Sequence, residues 1–108
     1  MSEEDWVPAK ARTRAALWGA ERHLGSREYV AAADVLDDAF AYGDRDAVAV
    51  ARGMRQLAAA GYRHREGDEV RARRHLGRAH ARLSPFLPVY EEVDLERLLD
   101  VVAQALEP

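Results

Sequence analysis

Two consecutive helical patterns across residues 52–83 constrain the fold of this chain more than any other feature of its sequence. In each pattern, apolar or small residues recur three or four positions apart, the spacing of one face of an α-helix. The two stripes are Val50, Met54, Leu57 and Gly61, then Ala72, Leu76, Ala79 and Leu83. Between them lies Glu66-Gly67-Asp68, where glycine suits the left-handed residue after a helix end and aspartate caps the next helix. The sequence therefore predicts an αα-hairpin.

Two glycines interrupt the first helix of this hairpin. Each costs about 1 kcal/mol relative to alanine inside a helix, so their presence calls for a reason. We expect Gly53 and Gly61 to allow close approach of a neighbouring helix, because glycine has no side chain to hold it away. The neighbouring alanines, Ala58, Ala59 and Ala60, extend the same smooth surface.

Two further helical patterns precede the hairpin. The first covers about residues 8–24, with Pro8 in its first turn and Gly25 after its end. Its inward residues are Thr13, Leu17, Ala20 and Leu24. The second follows Ser26 as its cap and ends near Tyr42-Gly43. Its inward residues are Tyr29, Ala33, Leu36 and Phe40.

Aspartates and prolines delimit the remaining helices. Asp44 or Asp46 caps the first helix of the hairpin. The second helix of the hairpin stops at Ser84-Pro85, because proline lacks a backbone donor and disfavours helix in the residue before it. Asp94 caps a last helix. Its inward residues are Leu95, Leu98, Leu99, Val102 and Leu106.

These five helices, with no strand pattern and no linker, predict an all-α fold: a five-helix antiparallel bundle built around the central αα-hairpin. We expect one domain over residues 1–108, with residues 1–7 as a frayed lead-in. The apolar segment between Phe86 and Tyr90 is expected to fold onto the bundle. Trp18 lies off the first apolar stripe, so either a terminus or loop covers it or it anchors an interface.

Composition excludes several kinds of chemistry. Of the 108 residues, 48% are hydrophobic, the formal net charge is −3, and there is no cysteine. Disulfides, thiolate catalysis and cysteine-ligated metal are therefore ruled out. No apolar run approaches the roughly 20 residues that span a bilayer, and MSEEDWVPAK is acidic where a secretory signal is basic and then apolar. We expect a cytoplasmic protein with no membrane partner.

The choice among amino acids is biased along the whole chain. It contains fifteen arginines against one lysine, 21 alanines, and neither isoleucine nor asparagine. A GC-rich genome produces this bias, so the number of arginines is not by itself evidence of nucleic-acid binding. The net acidity also argues against a binder of phosphate backbones, which carries a basic patch. We expect no nucleic-acid partner.

Four arginines nevertheless recur along the second helix of the hairpin, at Arg71, Arg74, Arg78 and Arg82. Because guanidinium groups match carboxylates and phosphates, this stripe has the character of a binding surface for an anion or an acidic partner. The more ordinary interpretation is a solvated face whose arginines pair with the acids of the second and fifth helices.

The histidines form no metal-binding motif. No two of His23, His64, His75 and His80 lie four residues apart, so the HExxH spacing is missing. A site that joins His64 to the aspartates of the second helix is conceivable, but a partly exposed histidine near a helix end is far more common. We predict no metal and no cofactor.

Asp34 and Asp37 are three residues apart on one helix, so their carboxylates are neighbours. Such pairs can share a proton when they are buried, which is a basis for acid/base catalysis. The sequence offers no nucleophile near them and no glycine loop that cradles phosphate. A position on the flank of the helix is therefore the favoured interpretation.

Between Ala16 and Leu106 the chain resembles the domain of unknown function family 309, whose members are small all-helical proteins. The resemblance rests on Glu28-Tyr29, Ala32, Asp34-Val35-Leu36-Asp37, Phe40, Gly53, Leu57-Ala58-Ala59-Ala60, Gly67, Leu76, Ala79, Leu83 and Val93-Asp94-Leu95. It implies the bundle fold, and it implies no settled activity, since the family has none.

The most distinctive motif of that family, Glu-x-His-Glu-x-x-Glu followed by Trp, is degraded in this chain. Its positions hold Ala31, Ala33, Asp34, Asp37 and Phe40. A histidine that is common on the third helix of the family falls at Tyr62. The resemblance therefore implies only Asp34, Asp37 and Tyr62 as remnants of a polar site that lacks its imidazoles.

Taken as a sequence, the chain favours an uncharacterised binding or interaction module without catalytic activity, whose partner is another protein or a second copy of itself. The alternative is a small-molecule or metal-dependent enzyme with a pocket near Asp34, Asp37, Tyr62 and His64. The feature that separates the two is whether these four side chains converge in one cleft.

Overall fold

The computed structural model describes residues 7–107, and these residues are mostly helical. In chain order the elements are α1 (Ala9–Gly25), α2 (Tyr29–Val35), α3 (Asp37–Tyr42), α4 (Arg45–Arg65), α5 (Glu69–Leu83), a 3₁₀ turn (Ser84–Phe86), β1 (Val89–Tyr90), β2 (Val93–Asp94) and α6 (Leu95–Ala105). The predicted all-α bundle is confirmed. The predicted frayed lead-in, apart from Val7, lies outside the described residues.

The hairpin of α4 and α5 forms the most extensive contact between any two elements. Gly67 joins them at φ +83°, and the Asp68 carboxylate accepts a hydrogen bond from the Arg71 backbone N–H at 3.1 Å. A methyl group at Gly53 would collide with the side chain of Leu83. The predicted turn, its cap and the use of glycine for close helix approach are thus confirmed.

The predicted second helix is divided in two at Leu36. This buried residue ends α2, and its backbone N–H bonds Ala33 across a tight turn at 3.3 Å. Ala32 and Ala39 take the buried positions that we expected for Ala33 and Phe40, which are only half-buried. The inward stripe of this segment was therefore predicted partly wrong.

Ser26 does not cap α2, so that prediction is wrong. The connection is two residues longer than expected, because Arg27 adopts a left-handed conformation at φ 59° and Glu28 precedes the helix. The backbone N–H of Ser26 instead closes the last turn of α1. Asp44 and Asp94, by contrast, cap α4 and α6 as predicted.

A small antiparallel hairpin follows α5, although the sequence led us to expect no strand. Val89 pairs with Asp94 and Tyr90 with Val93, and the two-residue turn between them has positive φ angles. Strands of two residues are too short to produce a detectable alternation of side chains. The expected folding of this segment onto the bundle is confirmed, because Phe86, Leu87 and Tyr90 all pack against the core.

Three side chains of α1, spaced four and three apart, hold this β-hairpin. Arg14 forms an ion pair with Glu91 at 3.1 Å, and Glu21 accepts a hydrogen bond from the backbone N–H of Asp94 at 2.9 Å. Between them, the indole N–H of Trp18 donates to the Glu91 carbonyl at 2.9 Å, while 43% of the residue stays exposed. A loop therefore satisfies the polar edge of Trp18 without covering its ring.

The core runs through all the larger elements and agrees with the predicted apolar stripes of α1, α4 and α6. The largest fully buried side chains are Leu17, Leu24, Leu36, Met54, Leu57, Leu83, Leu95, Leu98, Val50, Val93 and Val102. None of the helices between residues 7 and 107 combines the length and the apolarity needed to cross a bilayer.

Candidate functional site

The four arginines of α5 lie on an exposed surface, which we call the arginine face: Arg71, Arg74, Arg78 and Arg82. The Nε atom of Arg71 forms an ion pair of 3.5 Å with the Asp68 carboxylate, which lies within the same hairpin. Within the described part of the chain, the other three have no carboxylate at salt-bridge distance. The expected pairing with acids of the second and fifth helices is therefore not found there.

His75 marks where the arginine face meets α4. Its ring is half-buried, and its Nδ1 lies 2.7 Å from the Gln56 side-chain oxygen of α4. Burial lowers the pKa of His75, and the positive charges of Arg78, Arg63, Arg74 and Arg71 lower it further. One of these arginines comes from α4, so both helices contribute to a concentrated positive field.

Charge is strongly divided within this small molecule. Residues 45–83, which include α4 and α5, carry ten arginines and four carboxylates, a formal charge of +6. The remaining residues carry six cations and fifteen carboxylates, a formal charge of −9. The net charge of −3 is therefore the sum of a basic αα-hairpin and an acidic remainder of the chain.

A shallow apolar groove, which we call the α2–α4 groove, lies beside the hairpin. It encloses about 250 Å³ and is lined by Tyr29, Val30, Ala33, Arg55, Ala58, Ala59 and Tyr62. Val30 is 58% exposed and Tyr62 is 40% exposed, so two large side chains border small alanines. This groove was not predicted from the sequence, although the off-stripe position of Val30 between two inward residues was a signal for it.

The four side chains of the predicted pocket do not share one cleft. Asp34 and Asp37 are exposed and line a cleft of about 360 Å³ beside α1. Tyr62 lines the α2–α4 groove instead. The ring of His64 bonds the carboxylate of Glu69, its neighbour across the turn of the hairpin. The structure brings together only the two aspartates.

Metal binding and acid/base chemistry have little support in this arrangement. Between residues 7 and 107, no three His, Asp or Glu side chains are grouped so that they could hold a metal ion. Burial of Asp34 and Asp37, the condition for a shared proton, is not met. The same cleft is also lined by Arg12.

Comparison of this chain with models of protein families, with curated proteins and with solved structures finds no match.

A second cleft lies where α1, the start of α4 and the β-hairpin meet, with a volume of about 320 Å³. Tyr90 lines it, and burial raises the pKa of the Tyr90 phenol, with smaller contributions from Asp44, Glu91 and Asp46. A phenol of raised pKa remains a neutral hydrogen-bond donor at physiological pH. The two carboxylates that line this cleft are already engaged, because Asp44 caps α4 and Glu91 pairs with Arg14.

Proposed function

We propose that this chain is a cytoplasmic, non-catalytic interaction module that binds an acidic segment of a partner protein through the arginine face. The observation that carries the proposal is the row formed by Arg74, Arg78 and Arg82, exposed on one helix and without carboxylate partners in the described residues. Guanidinium groups form strong, directional hydrogen bonds with carboxylates, which makes such a row a receptor for acids.

The bias of the genome does not account for the row. Helix α5 has five arginines among its fifteen residues, whereas the whole chain of 108 residues has fifteen. A codon bias acts on every part of the chain alike. Like charges four residues apart on a helix also destabilise it by about 0.2–0.5 kcal/mol per pair. Repulsion within the row therefore opposes the stability of α5, and an acidic partner would relieve it.

An acidic protein segment fits this surface better than a nucleic acid does. A long polyanion would extend beyond the basic hairpin and meet the remainder of the chain, whose formal charge is −9. That remainder repels phosphate backbones at low salt, where nucleic-acid binders gain most of their affinity. A short acidic segment can contact the arginines and avoid the acidic regions.

The test is the salt dependence of binding to a short poly-glutamate peptide. Because exposed charges are screened over a Debye length, we expect affinity to fall about ten-fold or more between about 50 mM and about 300 mM salt. The double variant Arg74→Glu, Arg78→Glu should remove binding. The matched control is Arg22→Glu, Arg97→Glu, which makes the same change in net charge at exposed arginines of α1 and α6.

Three outcomes would contradict the proposal. The first is no binding of poly-glutamate at low salt. The second is an equal loss of binding in both double variants, which would show that only net charge matters. The third is tighter binding of a DNA strand of the same charge than of the peptide, which would indicate a nucleic-acid partner.

Membership of the domain of unknown function family 309 stays a prediction from the sequence. The same holds for self-association and for the enzyme alternative near Asp34, Asp37, Tyr62 and His64. No arrangement of the described side chains favours that alternative over binding, since only the two aspartates share a cleft and Tyr62 and His64 lie elsewhere.

A further inference from the structure

We propose that the α2–α4 groove is the apolar half of the same docking surface, and that it receives a large apolar side chain from the acidic partner segment. This inference rests on the proposed function, because it names the second element that the partner must carry. The partner is thus a protein segment that combines carboxylates with a residue such as leucine, phenylalanine or tryptophan.

The lining of the groove suits an apolar side chain. Ala33, Ala58 and Ala59 leave space between two helices, and Val30 and Tyr62 stand exposed beside them. Its volume of about 250 Å³ lies below the roughly 300–1,000 Å³ of pockets for drug-sized ligands. One large side chain, inserted from a partner, matches that space better than a free small molecule does.

One arginine lines the groove, two more stack on tyrosines that line it, and each of the three lies over an aromatic ring. The Arg55 guanidinium carbon is 5.3 Å from the ring centroid of Phe40, and the Arg63 carbon is 5.8 Å from that of Tyr62. The guanidinium of the third arginine, Arg65, lies over the ring of Tyr29. Stacking on a ring holds a guanidinium in place while its outer N–H groups stay free for a carboxylate.

The partners already present leave capacity for an incoming acid. Arg63 pairs with Glu66 at 3.3 Å, but exposed pairs of this kind contribute at most about 1 kcal/mol and exchange readily. Arg65 donates to the backbone carbonyl of Arg27, so its charge is not neutralised. Arg55 has no carboxylate at salt-bridge distance in residues 7–107.

The groove and the arginine face are continuous across the outer side of α4. Tyr62 lines the groove, and the next residue, Arg63, contributes to the positive field around His75. Ala59 lines the groove three residues after Gln56, which bonds His75. Residues three apart are neighbours on a helix surface, so one partner segment can contact both regions.

The experiment compares two labelled peptides of equal length and charge by fluorescence anisotropy at low salt. Both are acidic, and only one carries leucines at helical spacing, which glutamines replace in the other. Burying one leucine corresponds to about a ten-fold gain in affinity, so the leucine peptide should bind about ten-fold tighter. Ala59→Gln, which fills the groove without changing charge, should abolish that gain. Ala11→Gln, at an exposed position of α1, should keep it.

Each contrary outcome has a distinct meaning. Equal affinity of the two peptides, with both binding in a salt-dependent way, overturns the groove proposal and leaves the arginine face intact. No binding of either peptide overturns both. If the groove instead holds a second copy of the chain, sedimentation would show a dimer that Ala59→Gln dissociates, and the leucine peptide would bind no tighter than the glutamine peptide. This result too would overturn the assignment of an acidic partner.

Discussion

Gly61 and Gly77 both lie inside helices, but the space around them differs. A methyl group at Gly61 would collide with the Tyr29 ring, whereas nothing lies within 4 Å of one at Gly77. Overpacking costs about 1–3 kcal/mol, which exceeds the roughly 1 kcal/mol that alanine gains over glycine in a helix. We expect Gly61→Ala to lower the free energy of unfolding by about 1–2 kcal/mol, measured by urea denaturation.

Gly77→Ala is the matched control for that substitution. It gains helix propensity without a collision, so the free energy of unfolding should rise by about 1 kcal/mol. If both variants were stabilised equally, the close approach of α2 to α4 at Gly61 would be wrong.

His75 gives the protein a pH-dependent stability with a defined sign. Because burial and four arginines lower its pKa in the folded state, the unfolded chain binds the proton more readily. The stabilising contribution is therefore complete above the unfolded pKa of about 6.5 and is lost as the pH falls from that value through the lower pKa of the folded state. We expect thermal or urea unfolding to become easier between about pH 7.5 and about pH 5.5.

His75→Asn is the variant that isolates this effect, because an amide N–H can replace Nδ1 as donor to Gln56 but does not titrate. The difference in unfolding free energy between the original chain and the variant should shift in favour of the variant as the pH falls. Curves that stay parallel across this range would contradict the lowered pKa.

At the residue scale, some roles could be predicted from the sequence and others could not. The use of Gly53 and Gly61 was predictable, since a costly residue in a helix requires a packing reason. The role of His75 was not, because its partner Gln56 is nineteen residues away and meets it only through the register of two helices.

At the scale of single elements, the turn of the β-hairpin is strained. Glu91 and Glu92 adopt φ angles of 47° and 67°, a region that favours glycine or asparagine. The conformation costs a residue with a side chain about 1–2 kcal/mol. Within residues 7–107 the carboxylate of Glu92 forms no ion pair, so its removal breaks no such contact. We expect Glu92→Gly to raise the free energy of unfolding by about 1 kcal/mol.

Glu92→Ala separates relief of strain from loss of charge. Alanine removes the carboxylate but keeps the Cβ that makes this conformation unfavourable, so it should leave thermal stability nearly unchanged. Equal stabilisation by both substitutions would indicate that repulsion between acids, and not backbone strain, limits the turn.

Predictability also varied among the elements. Helices with strong stripes and aspartate caps were found, because Asp44, Asp68 and Asp94 each bond a backbone N–H three residues ahead. The break at Leu36 and the β-hairpin were not, since both depend on contacts with α1 that leave no local pattern. The β-hairpin also has Glu91-Glu92 at its turn, whereas Asn-Gly at these positions would have indicated a turn in the sequence.

At the scale of the whole molecule, the bundle was predictable and the binding surface only partly so. The spacing of the arginines placed the arginine face on one exposed side of α5, which the structure bears out. Within residues 7–107, Arg74, Arg78 and Arg82 have no acidic partners, and this could not be predicted without knowing which helices face each other. The α2–α4 groove could be predicted only by knowing that Ala32 is buried in place of Ala33, which then lines the groove. The spacing of apolar residues does not distinguish between these two positions.

The most direct test of the central claim is an NMR titration with poly-glutamate that follows the side-chain Nε–Hε signals of the arginines. We expect shifts at Arg74, Arg78 and Arg82, and none at Arg22 and Arg97. Shifts of equal size at all five residues, or at none of them, would contradict a specific acidic-partner surface on α5.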